Sequence, residues 1–266
     1  MTLNLDPAFP RTRERIIEWS RDPAVLGVLL VGSRSRGHQD AWSDDDLEVL
    51  LLDEAFARLT PDECIEIVEE EGADPPHSLY DAQFLPLGEI ERRAHSAIDL
   101  DHWPYERAIV LFDRDGRTAR AAAAAGRMDP GFRAARLRHA ALDALIPVRR
   151  AAKMRTRGVP LGMRALAHRS VRALLRVVFA LEGRWVPLEH WLDRELATLA
   201  DEAAVVPLLR EALETGGIDP LERALERLAA PLDREGFPAA PAERRRFFIH
   251  AVHPGNAAER ARHGLA

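Results

Sequence analysis

Residues 28–49 read VLLVGSRSRGHQDAWSDDDLEV. In this stretch an apolar run ends at Gly32-Ser33 and, ten residues later, an acidic triplet begins a second apolar run. Short apolar runs separated by turn-forming residues are typical of neighbouring β-strands. The stretch therefore predicts one strand over 25–31, a tight turn after it, and a second strand over 47–52.

The acidic triplet distributes carboxylates over both faces of the second strand. Because side chains alternate along a strand, Asp44, Asp46 and Glu48 share one face, and Asp45 lies on the other. Two carboxylates on one face can bind Mg²⁺, and the backbone N–H groups of a Gly-Ser turn can bind phosphate oxygens. The metal-binding pair is either Asp44/Asp46 or Asp46/Glu48, and the first pair lies nearer the turn. The alternative interpretation of three adjacent aspartates is an ordinary solvated turn.

Gly32-Ser33 followed by Asp44-Asp45-Asp46 resembles the signature of the nucleotidyltransferase superfamily, which is Gly-Ser, a spacer and Asp-x-Asp. That superfamily includes the aminoglycoside and lincosamide adenylyltransferases and DNA polymerase beta. Its middle position is usually apolar, whereas this chain has Asp45. The resemblance implies an enzyme that uses two Mg²⁺ ions, with ATP as co-substrate, to transfer AMP to a hydroxyl group.

The resemblance also implies a third carboxylate, which comes from a neighbouring strand and binds metal or acts as the base. Asp81 is the candidate, because it is an acidic residue in the otherwise apolar strand predicted over 78–87. The predicted catalytic and metal-binding residues are thus Asp44, Asp46 and Asp81. Rivals for the third position are Asp99, Asp101 and Asp113, and Asp81 is alternatively a solvent-facing residue of an edge strand.

The phosphate groups require positive charge and N–H donors. Gly32 and Ser33 are predicted to hold the β- and γ-phosphates, with Arg34 or Arg36 adding charge. Lys153, the only lysine in the chain, is predicted to bind the triphosphate from the second half of the protein. The alternative for this lysine is an ordinary solvated helix end, which the helix dipole favours.

Charge and periodicity both divide the chain in two. Residues 1–125 carry 26 acidic and 13 basic side chains, whereas the remainder carries 17 and 24. Strand and helix patterns alternate in the first part, and the second part repeats apolar residues every three or four positions. We predict an α/β nucleotidyltransferase domain with a mixed sheet over 1–126, followed by an all-α helical bundle that binds substrate over 127–266.

The individual elements follow from the same patterns. Helices are predicted over 11–20, 61–71, 88–95, 132–157, 161–181, 187–199, 203–213, 220–228 and 242–250, and strands over 25–31, 47–52, 78–87 and 107–112. The helix over 61–71 is expected to turn Ile65 and Ile67 inward. Residues 173–192 resemble the helical substrate domains of antibiotic-type nucleotidyltransferases, although His190 replaces a lysine of that pattern.

Composition excludes several classes of protein. The chain has no run of about 20 apolar residues, and its single cysteine, Cys64, cannot form an internal disulfide. Residues 1–20 include Asp6 and Glu14 and are not expected to act as a signal peptide. We therefore expect a cytoplasmic protein that does not span a membrane. The acidic first half disfavours nucleic acid as a partner and suits Mg²⁺ and cationic small molecules.

Together these observations predict a Mg²⁺-dependent adenylyltransferase whose partners are ATP and a small-molecule hydroxyl acceptor. The resemblance points to an antibiotic of the aminoglycoside or lincosamide type. Two alternatives stay open. One is an adenylyltransferase that modifies protein or RNA, as in toxin–antitoxin pairs. The other is a nucleotide-binding protein without catalytic activity.

Overall fold

The structure is a computed structural model that describes residues 1–70, 72, 77–237 and 253–265. The chain divides into two compact units, Met1–Arg127 and Met128–Ala266. In the described residues, every strand belongs to the first unit, and the second unit contains only helical elements. This confirms the predicted fold class, an α/β domain with a mixed sheet followed by an all-α region.

Six strands form one mixed sheet: β1 (Thr2–Leu3), β2 (Val25–Val31), β3 (Asp45–Leu51), β4 (Ile65–Glu69), β5 (Ser78–Pro86) and β6 (Ile109–Asp113). Their order across the sheet is β1-β6-β2-β3-β5-β4. Strands β3 and β5 are parallel, and the other neighbours are antiparallel. The predicted strands correspond to β2, β3, β5 and β6, whereas β1 and β4 were not predicted.

The predicted helix over 61–71 is wrong. The structure has a short 3₁₀ turn at Pro61–Cys64, followed by β4. Residues 65–69 read IEIVE. This sequence alternates over 65–67 and is rich in β-branched side chains, and it pairs with β5 as an edge strand. Ile65 and Ile67, expected to point inward, are exposed by 54% and 59%.

The first unit contains five α-helices among its described residues: α1 (Pro10–Arg21), α2 (Gly32–Ser35), α3 (Asp53–Phe56), α4 (Leu87–Arg93) and α5 (Arg117–Gly126). Two further 3₁₀ turns lie at Asp99–Asp101 and Trp103–Glu106. The predicted helices over 11–20 and 88–95 correspond to α1 and α4. Helix α1, before the motif, and helix α4, after β5, both pack against the sheet.

Alternation along the central strands gives the sheet two apolar faces. On one face, Ile16 and Trp19 of α1 pack in a cluster with Leu47 of β3. On the other face, Leu50 of β3 packs in a cluster with Ile90 of α4 and with alanines of α5. The second face is the one that also carries Asp46, because even-numbered residues of β3 point to it.

The second unit is built from six described helices: α6 (Pro130–Thr156), α7 (Pro160–Leu181), α8 (Leu192–Leu196), α9 (Val206–Thr215), α10 (Asp219–Arg234) and α11 (Pro254–Arg262). Asp129 caps α6 by accepting the Phe132 N–H at 2.9 Å. The two longest helices, α6 and α7, pack along each other through rows of buried alanine, leucine and valine side chains.

Two of the helices predicted for this unit differ from the six described helices. The helix predicted over 187–199 is wrong in extent, since only a 3₁₀ turn at Glu189–Trp191 and the short α8 form there. Just after α8, the Thr198 hydroxyl donates a hydrogen bond to the Glu195 carbonyl oxygen at 2.7 Å and accepts one from Arg184 at 2.7 Å. The helix predicted over 242–250 lies outside the described residues. No helix in the described parts of the chain combines the length and apolar character needed to span a membrane.

Candidate active site

The Gly-Ser turn of the motif lies directly against the second aspartate of Asp-x-Asp. Gly32 has a φ of +68°, a left-handed conformation that glycine adopts without strain. A Cβ atom at this position would lie 1.9 Å from Oδ2 of Asp46. The backbone N–H of Ser33, the next residue, donates a hydrogen bond to the same carboxylate. Only glycine therefore allows the turn and the carboxylate to approach this closely.

Strand pairing places the predicted third carboxylate beside the motif. Asp46 is paired with Val31 at the end of β2 on one side and with Asp81 of β5 on the other. Paired residues of neighbouring strands point to the same face of the sheet, about 4.8 Å apart. Asp44, two residues before Asp46, completes a group that we call the carboxylate cluster: Asp44, Asp46 and Asp81.

The members of the carboxylate cluster repel one another. Burial, together with the charges of Asp44 and Asp81, raises the pKa of Asp46 to about 7 from an ordinary 3.8, although the Ser33 N–H opposes the shift. Burial, and then the charges of Asp81 and Asp45, also raise the pKa of Asp44. Negative charge is thus concentrated at this edge of the sheet.

The donor set of the carboxylate cluster suits a hard divalent cation. Oδ1 of Asp81 is buried and has no hydrogen-bond partner among the described residues. An unsatisfied buried carboxylate oxygen, next to carboxylates whose pKa values are raised, is stabilised by a cation such as Mg²⁺. Among the described residues, no group of three histidine, cysteine or acidic side chains is close enough together to hold one metal ion. A bound cation would therefore require the three side chains to turn toward it.

Asp45, the residue that departs from the family pattern, belongs to the opposite face of the sheet. Its side chain is fully buried, with Oδ1 2.6 Å from Nε of Arg34 and Oδ2 accepting the Phe9 N–H at 2.8 Å. The Arg34 guanidinium also lies 3.6 Å above the Phe9 ring. Asp45 thus anchors the segment before α1 to β3, a structural role that the motif did not reveal.

The two arginines predicted near the phosphates have different surroundings. The charge of Arg34 reaches Asp44, whose pKa it lowers in opposition to burial. Arg36 is nearly fully buried, with its guanidinium 4.0 Å above the Trp103 ring and 3.5 Å from the Glu106 carboxylate. Arg34 therefore lies near the motif, whereas the guanidinium of Arg36 is directed toward the 3₁₀ turn at 103–106.

Glu48, the alternative metal ligand, is already bound by protein groups. Its carboxylate accepts hydrogen bonds from the Tyr105 hydroxyl at 2.7 and 3.0 Å and from Arg93 at 3.2 Å. Burial raises the pKa of Glu48, and these donors oppose that effect. This arrangement favours Asp44/Asp46 over Asp46/Glu48 as the metal-binding pair. Both donors are more than 40 positions away in the chain, so no local sequence signal identified them.

The rivals of Asp81 have other surroundings. Asp113 pairs with Gly27 at the start of β2, roughly 13 Å along that strand from Val31 at 3.3 Å per residue. Its carboxylate accepts N–H groups of the turn at 115–119 and so closes that turn. Asp99 and Asp101 belong to a 3₁₀ turn outside the sheet.

The second unit contains one further predicted residue and a cavity. Lys153 is exposed in the last turn of α6, and its predicted role in triphosphate binding stays a prediction. A cavity of about 260 Å³ is bounded by α7, α10 and the segment 199–203. Its lining includes Glu182 but none of the predicted site residues.

Similarity to known proteins is confined to solved structures, since no protein-family model and no curated protein matches the chain. The chain is similar to a nucleotidyltransferase-like protein from Exiguobacterium sibiricum 255-15. The similarity covers 91% of this chain and 79% of that chain, with 14% sequence identity and a TM-score of 0.47.

Replacing Gly32 by alanine tests the contact between the turn and Asp46. We expect Gly32→Ala to lower the free energy of unfolding in urea by roughly 2 kcal/mol more than Gly37→Ala. Gly37 is the matched control, because it has a similar φ of +70° but no atom within 4 Å of an added Cβ. Equal losses in the two variants would contradict the close contact.

The raised pKa of Asp46 predicts a pH-dependent stability in buffers without divalent cations. Because the folded state holds this proton up to about pH 7 and the unfolded state releases it near pH 4, the stability falls as pH rises between those values. Asp46→Asn should therefore stabilise the protein more at pH 8 than at pH 5, with a difference on the order of 2 kcal/mol.

Urea unfolding at both pH values measures this difference. Asp53→Asn, at an exposed carboxylate, is measured alongside as the control for the exchange of aspartate for asparagine. If Asp46→Asn gave a change independent of pH, the raised pKa would be wrong.

Proposed function

We propose that the protein is a Mg²⁺-dependent nucleotidyltransferase that transfers AMP from ATP to a hydroxyl group of a small molecule. The observation that carries the proposal is the junction of the Gly32-Ser33 turn with Asp46, which is paired in turn with Asp81. Sequence spacing alone gives the motif. The tertiary structure adds that its two parts touch and that a third carboxylate lies on the same face.

Each part of this junction has a distinct role in the proposed reaction. Asp44 and Asp46 would hold the divalent cation that accompanies the triphosphate, since carboxylate oxygens are the ligands Mg²⁺ prefers. When bound, two such cations would neutralise the triphosphate and stabilise the departing pyrophosphate. The Gly32-Ser33 turn would lie beside the phosphates, and Arg34 would add positive charge near Asp44.

Asp81 is the proposed base. Its buried Oδ1 has no hydrogen-bond partner in the described chain and can accept the proton of an acceptor hydroxyl. The hydroxyl oxygen would then form a bond to the α-phosphorus of ATP, while the bond from that phosphorus to the β-phosphate oxygen breaks. The products are the adenylylated acceptor and pyrophosphate, with the proton on Asp81.

The proposed acceptor is a small molecule of the aminoglycoside or lincosamide type. The excess of acidic side chains in residues 1–125 supports a neutral or cationic acceptor over nucleic acid. The experiment that follows also tests protein and RNA as acceptors.

Incubation with α-labelled ATP and Mg²⁺ tests the proposal. The acceptors are panels of aminoglycosides, lincosamides, transfer RNA and protein, with label transfer as the readout. We expect transfer to a small molecule and a reduction of roughly 100-fold or more in Asp46→Asn, because loss of a cation ligand removes several kcal/mol of transition-state stabilisation. Asp53→Asn should retain full activity.

Two results would contradict the proposal. Label transfer that survives Asp46→Asn would overturn the assigned mechanism. Absence of transfer to every acceptor, with ATP still bound, would favour a nucleotide-binding protein without catalytic activity.

The role of Asp81 is tested separately from that of the metal-binding pair. Asp81→Asn should lower kcat by roughly 100-fold and leave the affinity for Mg²⁺-ATP within about threefold of wild type, because a lost base affects the chemical step. Asp44→Asn should weaken Mg²⁺-ATP binding itself, as measured by calorimetry. A loss of nucleotide binding in Asp81→Asn would instead make Asp81 mainly a metal ligand.

A further inference from the structure

The edge strand β4 exposes two large apolar side chains beside the carboxylate cluster. Ile65 pairs with Gln83 and Ile67 pairs with Asp81, so both isoleucines lie on the face of the sheet that carries Asp81. They are exposed by 54% and 59%. We call Ile65 and Ile67 the apolar strip.

The register of β4 is held from the opposite face. Glu66 lies on that face and accepts the Tyr80 hydroxyl at 2.5 Å and two nitrogens of Arg15 at 2.6 and 2.9 Å. Slippage by one residue would break these bonds and exchange the two faces. The isoleucines are therefore kept outward by a set of polar contacts on the side of α1.

Two alternate positions of this edge strand present apolar side chains to solvent. Exposed edges commonly carry charged residues, which prevent association with other chains. In β4 the half-buried side chains are Glu66 and Val68, and the exposed ones are Ile65, Ile67 and Glu69. Two exposed isoleucines in alternate positions form a contact surface for an apolar group.

The order of strands places this surface on a defined side of the carboxylate cluster. Across the sheet, one row of neighbours consists of Val31, which precedes the Gly32 turn, then Asp46, Asp81 and Ile67. The turn assigned to the phosphates is at one end of this row, and Ile67 is at the other, about 10 Å from Asp46 at 4.8 Å per strand. A molecule approaching Asp81 from the side away from the phosphates therefore meets the apolar strip.

We propose that the apolar strip binds the acceptor and sets its specificity. The inference rests on the proposed function, and it narrows the acceptor to an amphiphilic hydroxyl compound with an alkyl or aryl portion near the reacting hydroxyl. The apolar portion lies against Ile65 and Ile67, and the hydroxyl group lies at Asp81. A uniformly polar, polycationic acceptor gains nothing from these two side chains.

The experiment compares Ile67→Thr with wild type. Threonine keeps the β-branched shape that suits a strand but removes apolar surface. Ile98→Thr is the matched control, because Ile98 is 60% exposed in the same unit and lies outside β4. The probes are a lincosamide, which carries an alkyl side chain, and an aminoglycoside, which does not.

Kinetics and binding give separate readouts. We expect Ile67→Thr to raise KM for the alkyl-bearing acceptor about tenfold and to leave KM for ATP unchanged. Ile67→Val and Ile98→Thr should have the same two KM values as wild type. Calorimetry without ATP should show the same tenfold rise in Kd, and this measurement does not require turnover. The aminoglycoside should bind wild type and Ile67→Thr equally.

Three results would overturn the inference. If Ile67→Thr matched Ile98→Thr in every measurement while label transfer still required Asp46, the function would stand and the apolar strip would have no role in it. If KM for ATP rose in place of KM for the acceptor, the strip would contact the nucleotide. If sedimentation showed a wild-type dimer that Ile67→Thr converts to monomer, the strip would be an interface between two copies of the chain.

Discussion

The first unit depends on the close approach of the Asp46 carboxylate to the backbone of Gly32 and Ser33. This contact is possible because glycine has no Cβ and accepts a φ of +68°. It joins the end of β2 to the start of β3 and leaves the Asp46 carboxylate half-buried, with its pKa raised to about 7. Burial and the neighbouring carboxylates thus disfavour the negative charge of Asp46. Such perturbed pKa values are common in functional sites.

The acidic residues of β3 have separate tasks because strand alternation gives them different neighbours. Asp46 shares its face with Asp81, whereas Asp45 is buried on the other face with Arg34 and Phe9. Glu48, deeper on the face of Asp46, is bound by Tyr105 and Arg93. The contacts of Asp45 and Glu48 are structural, which leaves the Asp44/Asp46 pair for the proposed reaction.

Much of the fold followed from the sequence, and its failures have physical causes. Strand β2 is a short apolar run that leads into a turn, and helix α7 has a clear helical periodicity, so in both the local pattern and the tertiary structure agree. The apolar residues of 61–71 fit the spacing of a helix, and residues 65–67 also fit the alternation of a strand. Hydrogen bonding to β5 stabilises the strand. In the strand Ile65 and Ile67 are exposed, whereas the predicted helix would have turned both toward the core.

The sequence by itself determined the motif, because the Gly-Ser turn and the spacing of two carboxylates on one strand face depend only on residues close together in the chain. It also indicated Asp81 as an acidic residue within an apolar strand. Only the tertiary structure decided that Asp81 is in register with Asp46, that Glu48 is bound by distant donors, and that an apolar strip lies next to the carboxylate cluster. Those relations arise from pairing between strands and helices far apart in sequence, and local spacing does not encode that pairing.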